Sequence, residues 1–215
     1  MPEPVKPRRS YESPRRREQA LGTRRAVLDA ARDLFVERGY VATTVDAIAA
    51  RARVSPETVY ATFTNKRSLL SRLIDVSLAG DDAPVPILER RWVRDLRDEP
   101  DPRRRVRILA RNGRRMLERS LPIYEVLRGA ASADPEIASL WERAKAQRLA
   151  GQRELLRIVA ERAPLREGLT ASAATDILYA VGSPETYRLL VVDRGWSATR
   201  FERWYAEALA RLLLT

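Results

Sequence analysis

The 215-residue sequence predicts an all-α fold, because apolar residues recur every three to four positions through most of the chain. No stretch alternates apolar and polar residues over the length of a strand, which argues against a sheet. Clusters of proline, glycine and aspartate separate the periodic segments and mark the turns between helices. Apolar residues form 45% of the chain, which is enough for a hydrophobic core.

The N-terminal end predicts a basic arm followed by a helix. Residues 1–13 contain three prolines and no apolar period, which is typical of a disordered segment. A helix is expected to begin between Pro14 and Thr23, and its apolar face runs as far as Phe35. Gly39 is expected to end this helix, because glycine is the usual residue at a helix C-terminus.

A cluster of aspartate and proline at residues 81–86 predicts the boundary between two domains. The first domain, residues 14–80, contains the first helix, two short helices and a longer one. The second domain, residues 81–215, is helical throughout. Its predicted helices are residues 87–98, 102–119, 122–131, 135–162, 170–181 and 184–194, with a last helix capped by Ser197.

Residues 43–66 predict two short helices joined by a tight turn. Thr43 is expected to cap the first one, with Asp46 three positions later as in a capping box. Ser55 is expected to cap the second, and Pro56 occupies the first helical position, where a missing N–H costs nothing. Such a pair can present its second helix to the major groove of DNA. On spacing alone, an antiparallel helix pair within an ordinary bundle is the alternative.

The charge balance allows two interpretations. The net charge is +11, which favours a polyanionic partner such as nucleic acid. However, three lysines accompany 37 arginines, and this skew is also typical of a GC-rich genome and a solvated arginine-rich surface. The net charge is +6 over residues 1–80 and +5 over the longer remainder, so the excess is denser in the first domain.

Missing residue types exclude several classes of chemistry. Without cysteine there is no disulfide, thiolate nucleophile or cysteine-based zinc site, and without histidine there is no imidazole base. A carboxylate-based or lysine-based enzyme remains open, but we expect no enzyme, no metal and no cofactor. No apolar run approaches a membrane span and no signal peptide opens the chain, so we expect a cytoplasmic protein that does not contact membranes.

A longer pattern runs through residues 24–70. It reads Ala30-Ala31-x-x-Leu34-Phe35-x-x-x-Gly39-Tyr40, then Thr44-x-x-x-Ile48-Ala49-x-x-Ala52-x-Val54-Ser55, then x-x-Thr58-Val59-Tyr60-x-x-Phe63-x-x-Lys66-x-x-Leu69. This pattern resembles the DNA-binding domain of the TetR family of regulators and covers 47 of the 215 residues. The resemblance implies a three-helix, helix-turn-helix DNA-binding domain and a C-terminal helical domain for ligand binding and dimerisation.

The resemblance also implies roles for individual residues. Those expected to meet phosphates are Thr44, Tyr60, Thr62 and Lys66. Those expected to meet base edges from the second short helix are Pro56, Glu57, Thr58 and Ala61. Ser55 and Arg53, which precede that helix, complete the predicted DNA-binding set.

The sequence departs from the family pattern at two positions. Arg53 stands where the family usually has glycine. Either it adopts a left-handed conformation, at about 1 kcal/mol relative to glycine, or the turn is open and Arg53 reaches a phosphate. Thr62 stands where histidine is frequent, and it has less reach and no charge. Since no arginine or asparagine is placed for bidentate base reading, we expect DNA shape and the segment Arg8–Arg17 to contribute to specificity.

Apolar stripes on the last two helices predict a dimer surface, because helix-turn-helix proteins bind paired half-sites as dimers. Two such stripes suit a four-helix bundle across a two-fold axis. The alternative is that they cover only the protein's own core. The predicted interface residues are Tyr187, Leu190, Val191, Phe201, Trp204, Tyr205, Ala208 and Leu212.

The resemblance further implies an apolar ligand cavity among the middle helices. The candidate lining residues are Trp92, Leu109, Asn112, Met116, Tyr124, Trp141, Arg148 and Tyr179. Arg148 falls on an apolar face, where an unpaired guanidinium is expensive to bury. It therefore pairs with a carboxylate, reaches water or binds an anionic ligand, and Asn112 is a second polar candidate.

Together these features predict a sequence-specific, DNA-binding transcriptional regulator. The favoured form is a ligand-responsive repressor that binds a palindromic operator in double-stranded DNA as a homodimer and is released by a small-molecule inducer. The alternative is a constitutive or architectural helical DNA-binding protein that has no small-molecule ligand.

Overall fold

The structure is a computed structural model that describes residues 14–214, with side chains from residue 15 onward. The helices are α1 (Pro14–Ala42), α2 (Val45–Ala52), α3 (Pro56–Phe63), α4 (Lys66–Ala79), α5 (Arg91–Asp98), α6 (Pro102–Ala131), α7 (Pro135–Ala160), α8 (Ala171–Val181), α9 (Pro184–Tyr187) and α10 (Ala198–Leu213). A 3-10 turn (Ile87–Glu89) precedes α5, and a π-helical segment (Arg188–Asp193) continues α9.

These helices confirm the all-α prediction. Within the described residues, the extended structure consists of one isolated bridge between Leu165 and Leu214. None of the described helices combines the length and apolar character needed to cross a bilayer. The arm predicted for residues 1–13 lies outside the described residues.

The start of α2 differs by one residue from the prediction. Thr44, rather than Thr43, is the N-cap, and its hydroxyl accepts a hydrogen bond from the Ala47 N–H at 3.1 Å. Thr43 is fully buried, and its hydroxyl lies 3.1 and 2.8 Å from the carbonyl oxygens of Leu34 and Gly39. Gly39 interrupts α1 as expected, with φ 79° and ψ 168°. Thr43 therefore fastens this bend to the preceding turns of α1.

A first hydrophobic core joins α1–α4 to parts of α6 and α7. The first four helices contribute the fully buried residues Val27, Phe35, Ile48, Leu69 and Leu70, among others. Helices α6 and α7 contribute Ile123, Leu127 and Ile137, which are also fully buried. The helices predicted to meet DNA thus share an interior with the second domain. Because a packed interior transmits displacements, a shift of α6 acts directly on α1 and α4.

Helix α6 is continuous through Pro122, where the sequence predicted a break between two helices. A proline inside a helix removes one backbone hydrogen bond and costs about 3 kcal/mol. Ile123 and Leu127 follow it and are completely buried in the first core. Burying two such side chains contributes about 1.5–3 kcal/mol each, which offsets that cost.

The segment predicted as one helix over residues 87–98 divides at Arg90, which is extended with φ −71° and ψ 152°. Helix α5 then packs on α6 through Arg105, whose side chain is fully buried. The Arg105 guanidinium donates to two carbonyls at the C-terminal end of α5, at 3.0 and 2.8 Å, and to the carbonyl of Ile158 in α7. Those carbonyls lack helical partners, so one arginine ties three helices together.

A second core lies among α5–α8 and α10, and it corrects part of the predicted dimer surface. Phe201 is fully buried and packs against the rings of Tyr187 (4.8 Å) and Tyr205 (5.7 Å). Tyr205 lies beside Gly113 and Gly182, where an added Cβ would be 2.9 and 2.1 Å from it. Tyr187, Phe201 and Tyr205 therefore belong to the protomer's own core. Apolar spacing identifies the buried face of a helix, but not whether the same chain or a partner covers it.

Candidate nucleic-acid interface and ligand cavity

Local signals around Ser55 fix the position of α3. The Ser55 hydroxyl accepts a hydrogen bond from the N–H of Thr58 at 3.3 Å, and Pro56 occupies the first helical turn. Val59 and Phe63 are buried in the first core, so they determine which side of α3 faces outward. The cap and the proline are those that the sequence predicted.

The outward side of α3 is open. Glu57 and Ala61 are exposed, Pro56, Thr58 and Thr62 are half-buried, and Tyr60 is 52% exposed. A hydrogen bond with Ser55 lowers the pKa of the Glu57 carboxyl, so this group is ionised at neutral pH. The Thr62 hydroxyl donates to the carbonyl of Thr58 at 2.8 Å, which occupies its only hydrogen within the helix.

Arg53 lies in the turn between α2 and α3 and has a left-handed conformation, with φ 58° and ψ 42°. This is the first of the two alternatives that the sequence left open. Its side chain is exposed and makes no hydrogen bond or ion pair with any described residue. Arg51, by contrast, is held by both carboxylate oxygens of Glu37, at 3.0 and 2.9 Å. Arg53 therefore has its full charge available next to α3.

Lys66 lies at the start of α4 and is partly committed within the protein. Its ammonium donates to the carbonyls of Tyr40 and Thr43 at 3.0 and 2.9 Å. Burial lowers the pKa of this ammonium, and the Asp134 carboxylate opposes that shift. An ammonium carries three N–H donors, so one donor remains for a phosphate.

A cavity of about 580 Å³ lies among α4, α6 and α7, beside the 3-10 turn. Its lining is mainly apolar, and its volume is typical of small-molecule sites. Five of the eight predicted residues line it, namely Trp92, Leu109, Met116, Tyr124 and Arg148.

The other three predicted residues do not line this cavity. Trp141 packs behind Tyr124, with ring centroids 4.7 Å apart, and Tyr179 stacks on the Arg148 guanidinium at 3.7 Å. Asn112 donates to the carbonyl of Ile108 at 2.8 Å and lines a neighbouring cleft of about 360 Å³. All three residues support the cavity wall or lie next to it. Helical spacing predicts the face on which a residue lies, but not whether its side chain reaches the cavity.

The polar side chains of Glu185 and Tyr124 lie near Arg148 at the cavity wall. A carboxylate oxygen of Glu185 lies 4.0 Å from Nη1 of Arg148, and the other oxygen accepts a 2.7 Å hydrogen bond from the Tyr124 hydroxyl. Burial raises the pKa of Tyr124, and its bond to Glu185 raises it further, so Tyr124 remains a donor.

Sequence reasoning missed several lining residues. Gln152 lies one turn after Arg148 on α7, and an i, i+4 search from Arg148 could have found it. Gly113 and Gly182 line the cavity beside Tyr205, and no local pattern signals that contact. Tyr205 was assigned to the dimer surface and is instead a lining residue.

Three exposed apolar residues lie on the last two helical elements. Leu189 (55% exposed) and Val192 (59%) lie in the π-helical segment, and Leu212 (37%) lies on α10, which packs against that segment. The predicted residues Leu190, Val191, Trp204 and Ala208 lie on the same two elements and are half-buried. Of the three exposed residues, Leu212 was predicted from the sequence, and Leu189 and Val192 were not.

These features define a class of protein: a helix-turn-helix with an open second helix, joined to a helical domain with an apolar cavity. Residues 27–73 match the family described as bacterial regulatory proteins, tetR family. The chain is 32% identical over 181 residues to YdeS of Bacillus subtilis (strain 168), an uncharacterized HTH-type transcriptional regulator, and the match covers 84% of each protein. The chain belongs to the TetR family and is a DNA-binding transcriptional regulator.

Solved structures show the same fold. NalD of Pseudomonas aeruginosa, the secondary repressor of the MexAB-OprM multidrug efflux pump, aligns with a TM-score of 0.67 at 22% identity. That alignment covers 92% of this chain and 98% of NalD. A transcriptional regulator from Saccharomonospora viridis, solved in complex with choline, aligns with a TM-score of 0.64 at 18% identity, over 89% of this chain and 97% of that one.

Proposed function

We propose that this regulator is a ligand-responsive repressor that binds a palindromic operator as a homodimer. The observation that carries the proposal is the open outer side of α3, where Glu57 and Tyr60 are exposed while Val59 and Phe63 hold the helix against the core. A helix fixed from behind and free in front suits insertion into a major groove. The structural neighbour NalD is itself described as a repressor.

Contacts on both sides of α3 would position it on the DNA backbone. The Thr44 hydroxyl accepts from a backbone N–H, so its own hydrogen is free to donate to a phosphate. The unpaired Arg53 guanidinium and the third donor of Lys66 supply positive charge at the two ends of α3. Such contacts fix the register of the helix but carry no sequence information.

Glu57 would supply much of the base selectivity. Its ionised carboxylate can accept a hydrogen bond from the N4 amino group of cytosine, and it is repelled by phosphates and by base edges that present acceptors. Because a misplaced carboxylate is penalised, Glu57 selects against wrong sequences as well as for the right one.

A dimer follows from the geometry of DNA, since two reading helices must lie about 34–36 Å apart to enter successive major grooves. The exposed apolar side chains Leu189, Val192 and Leu212, on the last two helical elements, are best suited to this contact. A two-fold axis through it would pair the C-terminal helices of both copies into a four-helix bundle.

Helix α4 would connect the cavity to the DNA-binding end. Ile74, Ser77 and Leu78 of α4 line the cavity, and Arg119 of α6 donates to the carbonyls of Ser77 and Leu78 at 3.1 and 3.0 Å. A ligand that displaces this end of α4 also displaces its first turn, where Lys66 bonds to the carbonyls of Tyr40 and Thr43. The resulting change in half-site spacing releases the operator. The cavity thus favours a ligand-responsive regulator over a constitutive one.

Selection of bound duplexes from a random pool tests the proposal. We expect enrichment of a palindrome, bound by an even number of chains in native mass spectrometry. Failure to enrich any sequence would contradict sequence-specific reading. The enriched duplex then serves as the probe in a search for small molecules that release it.

A further inference from the structure

Three buried polar atoms that lack hydrogen-bond partners belong to two residues of the cavity wall. They are Nε and Nη1 of Arg148 and Oε1 of Gln152. Among the described residues, the other buried side-chain atoms in this condition are the Nε atoms of Arg90 and Arg105. Native proteins satisfy nearly all buried polar groups, because an unsatisfied one destabilises the folded state. The cavity therefore concentrates unmet hydrogen-bonding capacity.

Arg148 and Gln152 are one helical turn apart on α7, so their side chains project from the same face. The Arg148 side chain is only 17% exposed, which limits solvation by bulk water. Gln152 donates through Nε2 to the carbonyl of Gly182 at 3.4 Å, and this contact assigns the amide orientation that leaves Oε1 unpaired. The pair thus offers donors and an acceptor side by side.

The neighbours of Arg148 leave these donors unsatisfied. Glu185 lies 4.0 Å from Nη1, which is beyond hydrogen-bond distance, and it is already bonded to Tyr124. Tyr179 covers one face of the guanidinium at 3.7 Å. This cation–π contact stabilises the positive charge but accepts no hydrogen bond from the N–H groups. An acceptor placed in the plane of the guanidinium is missing.

We propose that the cavity binds an amphipathic carboxylate, whose carboxylate accepts hydrogen bonds from Arg148 and whose adjacent hydroxyl or N–H group donates to Gln152. The apolar part of this ligand lies against Trp92, Leu109 and Met116. This inference rests on the proposed ligand-responsive function and names the chemistry of its ligand. Hydrogen bonds between ions are about twice as strong as neutral ones, so the carboxylate supplies the selectivity and the apolar surface supplies the remaining affinity.

Probes with one alkyl chain and different head groups test this assignment. Decanoate, 3-hydroxydecanoate, decan-1-ol and decylamine are titrated into the full chain by isothermal calorimetry, below their critical micelle concentrations. We expect decanoate to bind about tenfold or more tightly than decanol and decylamine, and 3-hydroxydecanoate to bind more tightly still. Equal affinities, preferred binding of the amine, or no binding by any of the four overturns the inference.

Variants of Arg148 and Gln152 test which side chain causes each ligand preference. Arg148→Gln is expected to remove the preference for decanoate over decanol, and Arg148→Lys to retain a weaker preference because it keeps the charge but loses the planar fork. Gln152→Leu is expected to abolish the advantage of the hydroxy acid alone. The matched control is Arg153→Gln, which removes a charge from an exposed position of the same helix and is expected to change nothing. A carboxylate preference that survives Arg148→Gln, in protein whose circular dichroism shows a native fold, overturns the assignment.

The same probes separate this inference from the proposed function. If decanoate binds through Arg148 but never releases the enriched duplex, the ligand chemistry stands and ligand-controlled repression fails. If an uncharged or cationic molecule releases the duplex from both wild type and Arg148→Gln, ligand control stands and the carboxylate assignment fails.

Discussion

The ammonium of Lys66 lies 4.2 Å from the centre of the Tyr40 ring and donates to the carbonyl of the same residue at 3.0 Å. A second hydrogen bond joins it to the carbonyl of Thr43 at 2.9 Å. One side chain at the start of α4 thus holds the segment between α1 and α2. The family resemblance predicts that Lys66 contacts a DNA phosphate, and the structure adds these two hydrogen bonds within the protein.

Replacing Lys66 with Met is expected to lower the free energy of unfolding by about 2 kcal/mol, because two carbonyls lose a charged donor. Urea unfolding followed by circular dichroism measures this change. The control is Lys145→Met, since Lys145 makes a partly exposed ion pair with Glu142 and a 5.5 Å contact with the Trp141 ring, and is expected to contribute about 0.5 kcal/mol. If stability is unchanged and the salt dependence of DNA binding is smaller, Lys66 contacts a phosphate but does not stabilise the fold.

Replacing Arg53 with Gly is expected to have opposite effects on folding and on DNA binding. Relief of the left-handed strain should stabilise the protein by about 1 kcal/mol, while DNA affinity should fall and its logarithmic salt slope should shrink by about one. Unfolding curves and anisotropy titrations at several salt concentrations measure both. Gly39→Ala, at a position with φ 79°, is the reverse control and should destabilise. An unaltered salt slope would show that Arg53 contacts no phosphate.

Asp82 is expected to link stability to pH, because it accepts hydrogen bonds from Arg24 of α1 and Arg72 of α4. Burial raises its pKa, but the two arginines outweigh burial and hold the pKa below the ordinary value of 3.8. A carboxyl with a lowered folded-state pKa stabilises the protein fully above the unfolded-state value and loses that contribution as the pH falls through the folded-state value.

Asp82→Asn is therefore expected to be about 2 kcal/mol less stable than wild type at pH 7, with a difference that closes progressively below about pH 4. Urea unfolding at a series of pH values measures this. Asp29→Asn removes a 71%-exposed carboxylate and serves as the control. A difference independent of pH would mean that the Asp82 charge does not contribute.

Replacing Leu189 with Arg is expected to separate the dimer without unfolding the protomer, because the side chain is 55% exposed in the single chain. Light scattering after size exclusion should give the monomer mass, and affinity for the enriched duplex should fall at least about tenfold as one half-site is lost. Val85→Arg, at a 43%-exposed position before α5, should leave both unchanged. A dimer that persists would place the interface elsewhere.

Sequence signals specified the parts of the structure that depend on neighbouring residues. Ser55 and Pro56 defined the start of α3, and Thr170, Ser183 and Ser197 defined later helix starts, because an N-cap is a contact over three positions. The capping position before α2 was wrong by one residue, since two adjacent threonines offer the same local chemistry and only burial separates them.

Features that depend on distant packing were not predictable in this way. The break expected at Pro122 does not occur, because residues in α1 and α4 bury the side chains that follow it. The spacing of Phe201 predicts an apolar face of α10 but not what covers it, and the protomer's own core buries this side chain. The contact of Gly113 and Gly182 with Tyr205 has no local signal either, because it joins three segments that are far apart in the chain.

Base reading by α3 is tested most directly by repeating the selection from a random pool with Glu57→Ala. We expect this variant still to enrich a palindrome with an unchanged salt slope, but to lose the cytosine preference at one symmetric position in each half-site. An enriched sequence identical to that of the wild type would contradict the claim that the outer side of α3 reads the operator.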